Sequence, residues 1–280
     1  MIKVAVCCIG RQENRYINEF VNHYLSLGVD KIFIYDNNHD GEEHFEDVIP
    51  SSLLKEKIEI IDYRNQSICQ LKSYQDCYNK HNNEYDWILF IDCDEYLYMN
   101  GFNNIKDFLS QDKFNNYQLL HVNWMVYSDN NNVRYEDKPL KERFTKPVMP
   151  LNWGKCKIPE NNLVKSIIRG GLNDIKWYGT PHTPYSKSKC CNPSGNECQT
   201  IAYLNAFDFN HAHFKHYTTK TIEEWLDIKT KRGFPDGNKD HFKKVDIIDE
   251  FFKVNEVTEE KLKYLESRGF DVSNLYKRIK

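Results

Sequence analysis

The first half of the chain alternates short apolar runs with longer segments in which apolar residues recur at helical spacing. The apolar runs are typical of strands buried on both faces of a sheet, and they lie at residues 3–9, 31–35, 58–61 and 87–91. The segments 13–27 and 67–81 carry the helical pattern, and Gly28 follows the first of them as a helix stop. This order of elements predicts an α/β fold with a mostly parallel sheet flanked by helices.

The second half of the chain has a less regular pattern. Apolar residues at 117–124 and 164–169 predict two further strands. Stretches rich in Pro, Gly, Asn and Lys at 139–159 and 180–195 predict long loops, because these residues interrupt regular structure.

The end of the chain has a helical pattern. Thr221 and Glu224 fit a capping box, in which the two side chains bind each other's backbone N–H at the start of a helix. Two further amphipathic segments follow, at 240–254 and 258–268. We see no internal repeat and no clear linker. We therefore predict a main domain over residues 1–232 and a helical C-terminal extension over 233–280 that packs on the same domain.

Polar residues follow each of the four predicted strands in the first half. They are Arg11 to Arg15, Asp36 with Asn37, Asp62 with Arg64, and Asp92 with Asp94. In parallel sheets, ligands bind beyond the carboxyl ends of the strands. The pattern therefore predicts a ligand site along this edge of the sheet.

The strongest predicted strand, 87–91, leads directly into Asp92-Cys93-Asp94. Two carboxylates at this spacing on a turn can point toward one hard cation, and Mg²⁺ or Mn²⁺ can keep coordination positions for a diphosphate. The alternative is a solvated acidic turn. Phosphoaspartate hydrolases carry a similar pair, but normally after their first strand and followed by Thr or Val, whereas Glu95 follows here. We therefore interpret the pair as a divalent metal site.

Composition narrows the function classes. The formal net charge is −3, so no basic excess favours nucleic acid as a partner. No run reaches the roughly 18 to 20 apolar residues that span a bilayer, and the first residues lack the features of a signal peptide. We therefore expect a cytoplasmic protein. Its basic end, with Lys277, Arg278 and Lys280, is either a solvated terminus or a peripheral contact with the inner face of the membrane.

The nine cysteines are an odd number, and Cys7 and Cys8 lie within the first predicted strand. This favours reduced thiols over a disulfide framework. Cys190, Cys191 and Cys198, with His182 upstream, offer atoms that zinc binds, but their spacing matches no strong zinc pattern. We therefore predict a loop with free thiols.

Ten short motifs, in order along roughly residues 1–232, resemble the nucleotide-sugar glycosyltransferases of GT-A fold, and specifically the family-2-like and family-92-like group. The motifs are ENRYINEF at 13–20, HY at 23–24, LGV at 27–29, IYDNN at 34–38, FIDCDEYL at 90–97, HVNW at 121–124, ERF at 142–144, KSIIR at 165–169, PH at 181–182 and HFKHY at 213–217. The resemblance implies a metal-dependent hexosyltransferase with an inverting mechanism. The implied donor is a nucleotide sugar, a UDP-hexose, and the implied acceptor is a glycan or a lipid-linked saccharide.

The same resemblance implies a Mn²⁺ or Mg²⁺ ion and assigns its ligands. Asp94 would be the main ligand, and Asp92 would contact the donor ribose, or the metal through water. His216 would be the third ligand, although a hydrogen-bonded core histidine is the alternative.

The resemblance also assigns residues to the donor. Those expected at the nucleotide are Glu13, Arg15, Asp36 and Asn37. The cations Arg64 and Lys72 are expected at the diphosphate as charge-assisted hydrogen-bond donors. An ionised carboxylate such as that of Asp36 suits the hydroxyl and N–H donors of a nucleotide. The alternatives are a turn aspartate at Asp36, an acidic first-turn residue at Glu13, and solvated cations at Arg64 and Lys72.

Inversion at the anomeric carbon requires a general base near the acceptor hydroxyl. We predict Glu142 for this role, because it opens the ERF motif; the alternative for Glu142 is an ion pair with Arg143 or Lys141. His182 is a second candidate base, or a contact with the acceptor.

Two other functions remain open from the sequence. A sugar nucleotidyltransferase would also need a metal and a nucleotide site, but it usually has a Gly-rich loop after the first strand, and the segment 10–15 has a single glycine. A non-catalytic carbohydrate-binding protein on a transferase fold is the other alternative, and the retained Asp92 and Asp94 argue against it.

Overall fold

The structure of the protein is a computed structural model. It describes residues 2–54, 56–148, 159–204, 208–232 and 244–279. The chain divides into two compact units, which are Met1–Met125 with Asn152–His216, and Val126–Leu151 with Tyr217–Lys280. The boundary predicted between residues 232 and 233 falls beside the segment 233–243, which lies outside the described residues, and it stays a prediction.

Ten strands lie within the described ranges. They are β1 (Val4–Gly10), β2 (Lys31–Asp36), β3 (Ile58–Asp62), β4 (Trp87–Phe90), β5 (Glu95–Met99), β6 (Leu119–Val126), β7 (Val164–Arg169), β8 (Cys190–Cys191), β9 (Glu197–Cys198) and β10 (Ala212–His216). They form one sheet in the order β3-β2-β1-β4-β7-β6-β10-β5, with β8 beside β6 and β9 beside β8. The first four strands in this order are parallel, and β7 continues the sheet as an antiparallel strand.

Helices connect the parallel strands. The α-helices of the described residues are α1 (Asn14–Ser26), α2 (Phe45–Val48), α3 (Ser51–Leu54), α4 (Gln70–His81), α5 (Ile105–Leu109), α6 (Leu140–Arg143), α7 (Ile222–Arg232), α8 (Lys244–Val254) and α9 (Glu259–Ser267). Short 3₁₀ helices lie at Asp112–Phe114, Pro159–Asn162 and Tyr276–Arg278. Of the helices described, none is both long and apolar enough to span a bilayer.

Helix α1 positions the start of β5. Its apolar residues recur at three- and four-residue spacing, so that Phe20 and Tyr24 lie on its buried face. The buried Tyr24 hydroxyl donates to the Glu95 carbonyl oxygen at 2.7 Å and accepts from the Leu97 N–H at 3.1 Å. The first residues of β5 are therefore fixed by the helix that follows β1.

The carboxyl ends of the parallel strands lie at one edge of the sheet. Gly10 pairs with Asp36, and Asp36 pairs with Asp62, so the last residues of β1, β2 and β3 are in register. Phe90 pairs with Cys7, which brings the end of β4, and Asp92 beyond it, toward the same edge. The α/β class predicted from the sequence is confirmed, and the polar strand ends share an edge as expected.

The second unit has a helical core of its own. Trp225 of α7, Phe251 of α8 and Leu262 of α9 are buried in one hydrophobic cluster. Lys261 of α9 is also buried, and its Nζ lies 2.5 Å from Oδ2 of the buried Asp129. The predicted C-terminal helices are thus present in the described part of the tail.

Candidate active site

Asp92 lies just beyond β4, and three side chains hold its carboxylate. Its Oδ1 accepts hydrogen bonds from Gln70 Nε2 at 2.6 Å and from the Tyr74 hydroxyl at 3.1 Å. Its Oδ2 accepts a hydrogen bond from Lys165 Nζ at 2.8 Å. The carboxylate is therefore fixed between α4 and β7.

Lys165 supplies a buried positive charge to this network. Its side chain is inaccessible to solvent, and its Nζ also lies 3.6 Å from Oε1 of the buried Glu95. Burial acts to lower the pKa of Lys165, but the carboxylates of Asp92 and Glu95 outweigh burial and raise the pKa above the ordinary value for lysine. Burial likewise acts to raise the pKa of Asp92, but the Lys165 ammonium outweighs it and the pKa is lowered. Lys165 and Asp92 therefore form a charged pair.

Asp94, Glu95 and His216 bring three ligand atoms within 4.8 Å of one another. Strands β5 and β10 assemble this group, because Glu95 and His216 are partners in the antiparallel ladder. His216 Nε2 lies 3.6 Å from Asp94 Oδ1. The buried Glu95 Oε1 has no hydrogen-bond partner in the described structure. Two carboxylate oxygens and an imidazole nitrogen form a donor set that suits a divalent cation such as Mn²⁺.

His182 and His216 both pack against the indole of Trp124. The Trp124 ring centroid is 5.0 Å from that of His182 and 4.0 Å from that of His216. His182 Nδ1 lies 3.0 Å from the Val164 carbonyl oxygen, so Nδ1 carries the proton and donates it. Burial, and then the Lys165 charge, lower the pKa of His182 to about 4. The His182 imidazole is therefore neutral near pH 7, and its Nε2 has a lone pair that can accept a proton.

Asp36 and Asn37, at the end of β2, hold the loops beside them. The buried Asp36 carboxylate accepts hydrogen bonds from the N–H of Asn38 at 2.9 Å and of Phe45 at 3.0 Å. Asn37 Nδ2 donates to the Tyr63 carbonyl oxygen at 2.7 Å. Both side chains thus stabilise the edge where the donor is expected, and their predicted contact with the nucleotide stays a prediction.

The remaining residues predicted for the donor lie after β1 and β3. Glu13 is buried at the start of α1, and Arg15 is exposed on its first turn. Arg64 Nη2 lies 3.0 Å from Glu46 Oε1, and Lys72 is exposed on α4. The structure does not bring these four into the group of Asp94, Glu95 and His216, and their roles stay predictions.

Glu142 is exposed on α6 and belongs to the second unit. The alternative prediction for Glu142 is an ion pair with Arg143. The buried Arg143 guanidinium instead binds both carboxylate oxygens of Glu224, each at 2.9 Å. Glu142 therefore retains an exposed carboxylate, and its role as the base stays a prediction.

Comparison of the sequence with family models assigns the chain to a known family. The family model described as "Glycosyltransferase family 92" matches residues 2–256, which is most of the chain. The chain belongs to glycosyltransferase family 92. The resemblance to family 92 that the sequence motifs indicated is thereby confirmed.

Curated relatives carry the same family description. A family 92 protein of Ricinus communis is 28% identical over 106 residues, which is 38% of this chain and 19% of that protein. A family 92 protein of Oryza sativa subsp. japonica is 28% identical over 116 residues, which is 38% of this chain and 18% of that protein. The chain thus spans about a fifth of the length of the relatives that it matches.

Among solved structures, S. aureus TarS 1-349 superposes on this family 92 chain with a TM-score of 0.38 and 14% identity, and the match covers 60% of this chain and 47% of the TarS 1-349 chain. A second TarS structure gives a TM-score of 0.35 and 15% identity, and covers 60% of this chain and 28% of that one.

Two residues of this candidate site, Glu95 and Lys165, received no role from the sequence. Glu95 directly follows Asp94, and its position at the start of a second short strand is the signal that could have singled it out. Lys165 is a charged residue inside the otherwise apolar strand β7. A charge buried in a sheet requires a partner of opposite charge, so Lys165 indicated a nearby carboxylate. The identity of that carboxylate depends on the order of the strands in the sheet.

Proposed function

We propose that this family 92 chain transfers a hexose from a UDP-sugar to a hydroxyl of a glycan or a lipid-linked saccharide, with a Mn²⁺ or Mg²⁺ ion at the site. The observation that supports this most is the convergence of Asp94, Glu95 and His216 beside the Lys165–Asp92 pair, next to the carboxyl ends of the parallel strands. That edge is where nucleotides bind in open α/β sheets.

The donor set fits a divalent cation. Asp94 and Glu95 offer carboxylate oxygens, and His216 offers an imidazole nitrogen at a distance that one ion can bridge. A cation held there would offset the negative charge of the leaving diphosphate. Asp92 is already bound by Lys165, Gln70 and Tyr74, so we assign it to the ribose or to a water-mediated contact rather than to direct metal ligation.

The proposed reaction is a single displacement. The acceptor oxygen forms a bond to the anomeric carbon while the bond from that carbon to the phosphate oxygen breaks, and the electron pair leaves with UDP. The acceptor proton passes to a base, for which Glu142 is the carboxylate candidate. His182 is the alternative within the first unit, because its neutral imidazole presents Nε2 as an acceptor. Attack from the face opposite the leaving group inverts the anomeric configuration.

Calorimetric titration of UDP, with and without MnCl₂, tests the proposal. We expect the wild type to bind UDP in the presence of Mn²⁺, and Asp94→Asn to lose at least about tenfold in affinity, because removing one ligand charge weakens a three-ligand site. Asp107→Asn is the matched control, since Asp107 is exposed on α5 and should leave binding unchanged.

Transfer is measured separately, by the release of UDP from UDP-hexoses in the presence of saccharide acceptors. Wild-type protein that binds no UDP with Mn²⁺ would contradict the proposed donor. Tight Mn²⁺-dependent binding without UDP release from any hexose donor would support a non-catalytic carbohydrate-binding protein instead.

A further inference from the structure

A second group of metal-binding side chains lies on strands β6, β8 and β9, apart from the residues assigned to the active site. His121, Cys190 and Cys198 each contribute one ligand atom, and these atoms lie within 4.8 Å of one another. The ladder places Cys190 opposite Cys198, and their sulfur atoms are 3.2 Å apart. The fold thus brings together residues that are far apart in the sequence.

One nitrogen of the buried His121 ring has a hydrogen-bond partner, and the other has none in the described structure. His121 is fully buried, and its Nε2 lies 2.9 Å from Thr183 Oγ1. The Thr183 hydroxyl donates to the Pro184 carbonyl oxygen at 3.3 Å, so its oxygen accepts the Nε2 proton of His121. The buried Nδ1 has no hydrogen-bond partner in the described structure. A histidine with one nitrogen held by a hydrogen bond and a lone pair on the other has the arrangement typical of a metal ligand.

The distances suit a small tetrahedral ion. Zinc binds thiolate sulfur at about 2.3 Å and imidazole nitrogen at about 2.0 to 2.1 Å, which separates neighbouring ligand atoms by roughly 3.5 to 3.8 Å. The two sulfur atoms would move apart by about half an ångström from 3.2 Å to meet this geometry. Their present separation is well beyond the roughly 2.05 Å of a disulfide bond, and both thiols are free.

Cys198 is the member of the group nearest to solvent. It is half-buried, whereas Cys190 and His121 are buried, so an ion could enter past Cys198. Zinc binds the thiolate form of cysteine. Zinc sites with three protein ligands keep a fourth position for water.

We propose that His121 Nδ1, Cys190 Sγ and Cys198 Sγ form a zinc site that ties β6, β8 and β9 together, with water in the fourth position. This site uses neither Asp94 nor His216 and does not depend on the proposed transferase function. It differs from the grouping of these cysteines with His182 that the sequence offered, because the histidine that lies with Cys190 and Cys198 is His121.

Cobalt substitution tests the site directly. Full-length protein is reduced, stripped of metal with a chelator, and titrated with Co²⁺ alone and then with Zn²⁺. We expect about one tightly bound Co²⁺ with a sulfur-to-cobalt charge-transfer absorption, which Zn²⁺ then displaces. Cys198→Ser should lose this absorption. Asp94→Asn should keep it, because a hard carboxylate site gives no sulfur band.

Two further variants separate ligation from folding. Cys191→Ser is the matched control, since Cys191 is a buried neighbour outside the group, and it should retain the absorption. Thr183→Val removes the partner of His121 Nε2 and should weaken zinc affinity by roughly 10- to 100-fold while leaving the ligands in place. If the wild type shows no cobalt–thiolate absorption, or oxidises to a Cys190–Cys198 disulfide without binding zinc, the proposal is wrong.

Discussion

Lys165 balances the charge of the candidate active site at the level of single residues. Its ammonium lies 2.8 Å from Asp92 and 3.6 Å from Glu95. Three carboxyl groups, those of Asp92, Asp94 and Glu95, are crowded at the start of β5. Burial, together with repulsion from Asp92 and Asp94, raises the pKa of Glu95 well above the ordinary value for glutamate. The buried lysine offsets part of this repulsion without occupying the position proposed for the metal.

Replacing Lys165 by methionine should lower the free energy of unfolding by roughly 3 kcal/mol, because it leaves buried carboxylate charge without its partner. The Asp92 side chain is 30% exposed, so the loss of stability should lie at the lower end of the roughly 3 to 5 kcal/mol that breaking a buried ion pair costs. Urea unfolding measures the change. The double variant K165M/D92N should recover part of the loss, and Lys57→Met, on an exposed lysine, should stay near wild type. A K165M protein as stable as the wild type would show that the pair is not charged.

The sequence predicted some members of this site and not others, for a physical reason. Asp92 and Asp94 follow the strongest apolar run, so local pattern alone located them. His216 was suggested by the family resemblance, and the structure brings it to Asp94. Lys165 could not be assigned a partner, because β7 meets β4 through an antiparallel pairing that no local pattern in the sequence indicates.

At the level of elements, the side chains of Thr221 and Glu224 define the start of α7. The Thr221 N–H donates to Glu224 Oε2 at 3.2 Å, and the Glu224 N–H donates to Thr221 Oγ1 at 3.2 Å, which is the predicted capping box. Glu224 also binds the buried guanidinium of Arg143. One carboxylate therefore both caps a helix and neutralises a buried cation.

Thr221→Ala should destabilise the second unit by about 1 to 2 kcal/mol, since it removes a helix cap and leaves Glu224 with one donor fewer. Thr221→Ser keeps the hydroxyl and should restore most of the stability. The fluorescence of Trp225, which is buried on α7, reports the transition during urea unfolding. Equal losses in the alanine and serine variants would mean that the methyl group, and not the cap, is responsible.

The elements themselves were largely predictable. Strand β7 lies at 164–169 as predicted, and α4 begins three residues later than the predicted 67. The apolar residues of these two segments have the spacing typical of a strand and of a helix. The sequence alone was therefore enough to predict both elements. The partner of Arg143 was not predictable, because Glu224 lies on a distant helix whose approach to α6 depends on the fold of the second unit.

Two buried histidines contribute to the response of the whole molecule to acid. Burial is the main cause that lowers the pKa of His182 and of His213 to about 4 each. An unfolded histidine has a pKa near 6.5, so between about pH 6.5 and 4 the unfolded chain binds protons that the folded chain excludes. Above this window both forms are neutral and contribute nothing. The folded state therefore loses stability as the pH falls through it.

His213→Gln should flatten this dependence. We expect the stability difference between wild type and variant to shift by roughly 2 kcal/mol in favour of the variant between pH 7 and pH 4.5, because glutamine does not titrate. Urea unfolding of both proteins at several pH values measures this shift. The quantity that tests the prediction is the change with pH in the stability difference between wild type and variant, not the difference at pH 7. Parallel stability curves would show that His213 is protonated in the folded protein.

The pairing of β5 with β10 affects the order in which the protein folds. Glu95 and His216 pair across this ladder, although about 120 residues separate them in sequence. Contacts between distant segments form late, because closing a long loop costs more entropy than closing a short one. During synthesis on the ribosome, β5 therefore has no strand partner until β10 emerges. An unpaired strand edge of this kind can pair with other chains and cause aggregation. Tyr24, which binds the backbone of β5 from α1, is available from the start to hold that edge in place.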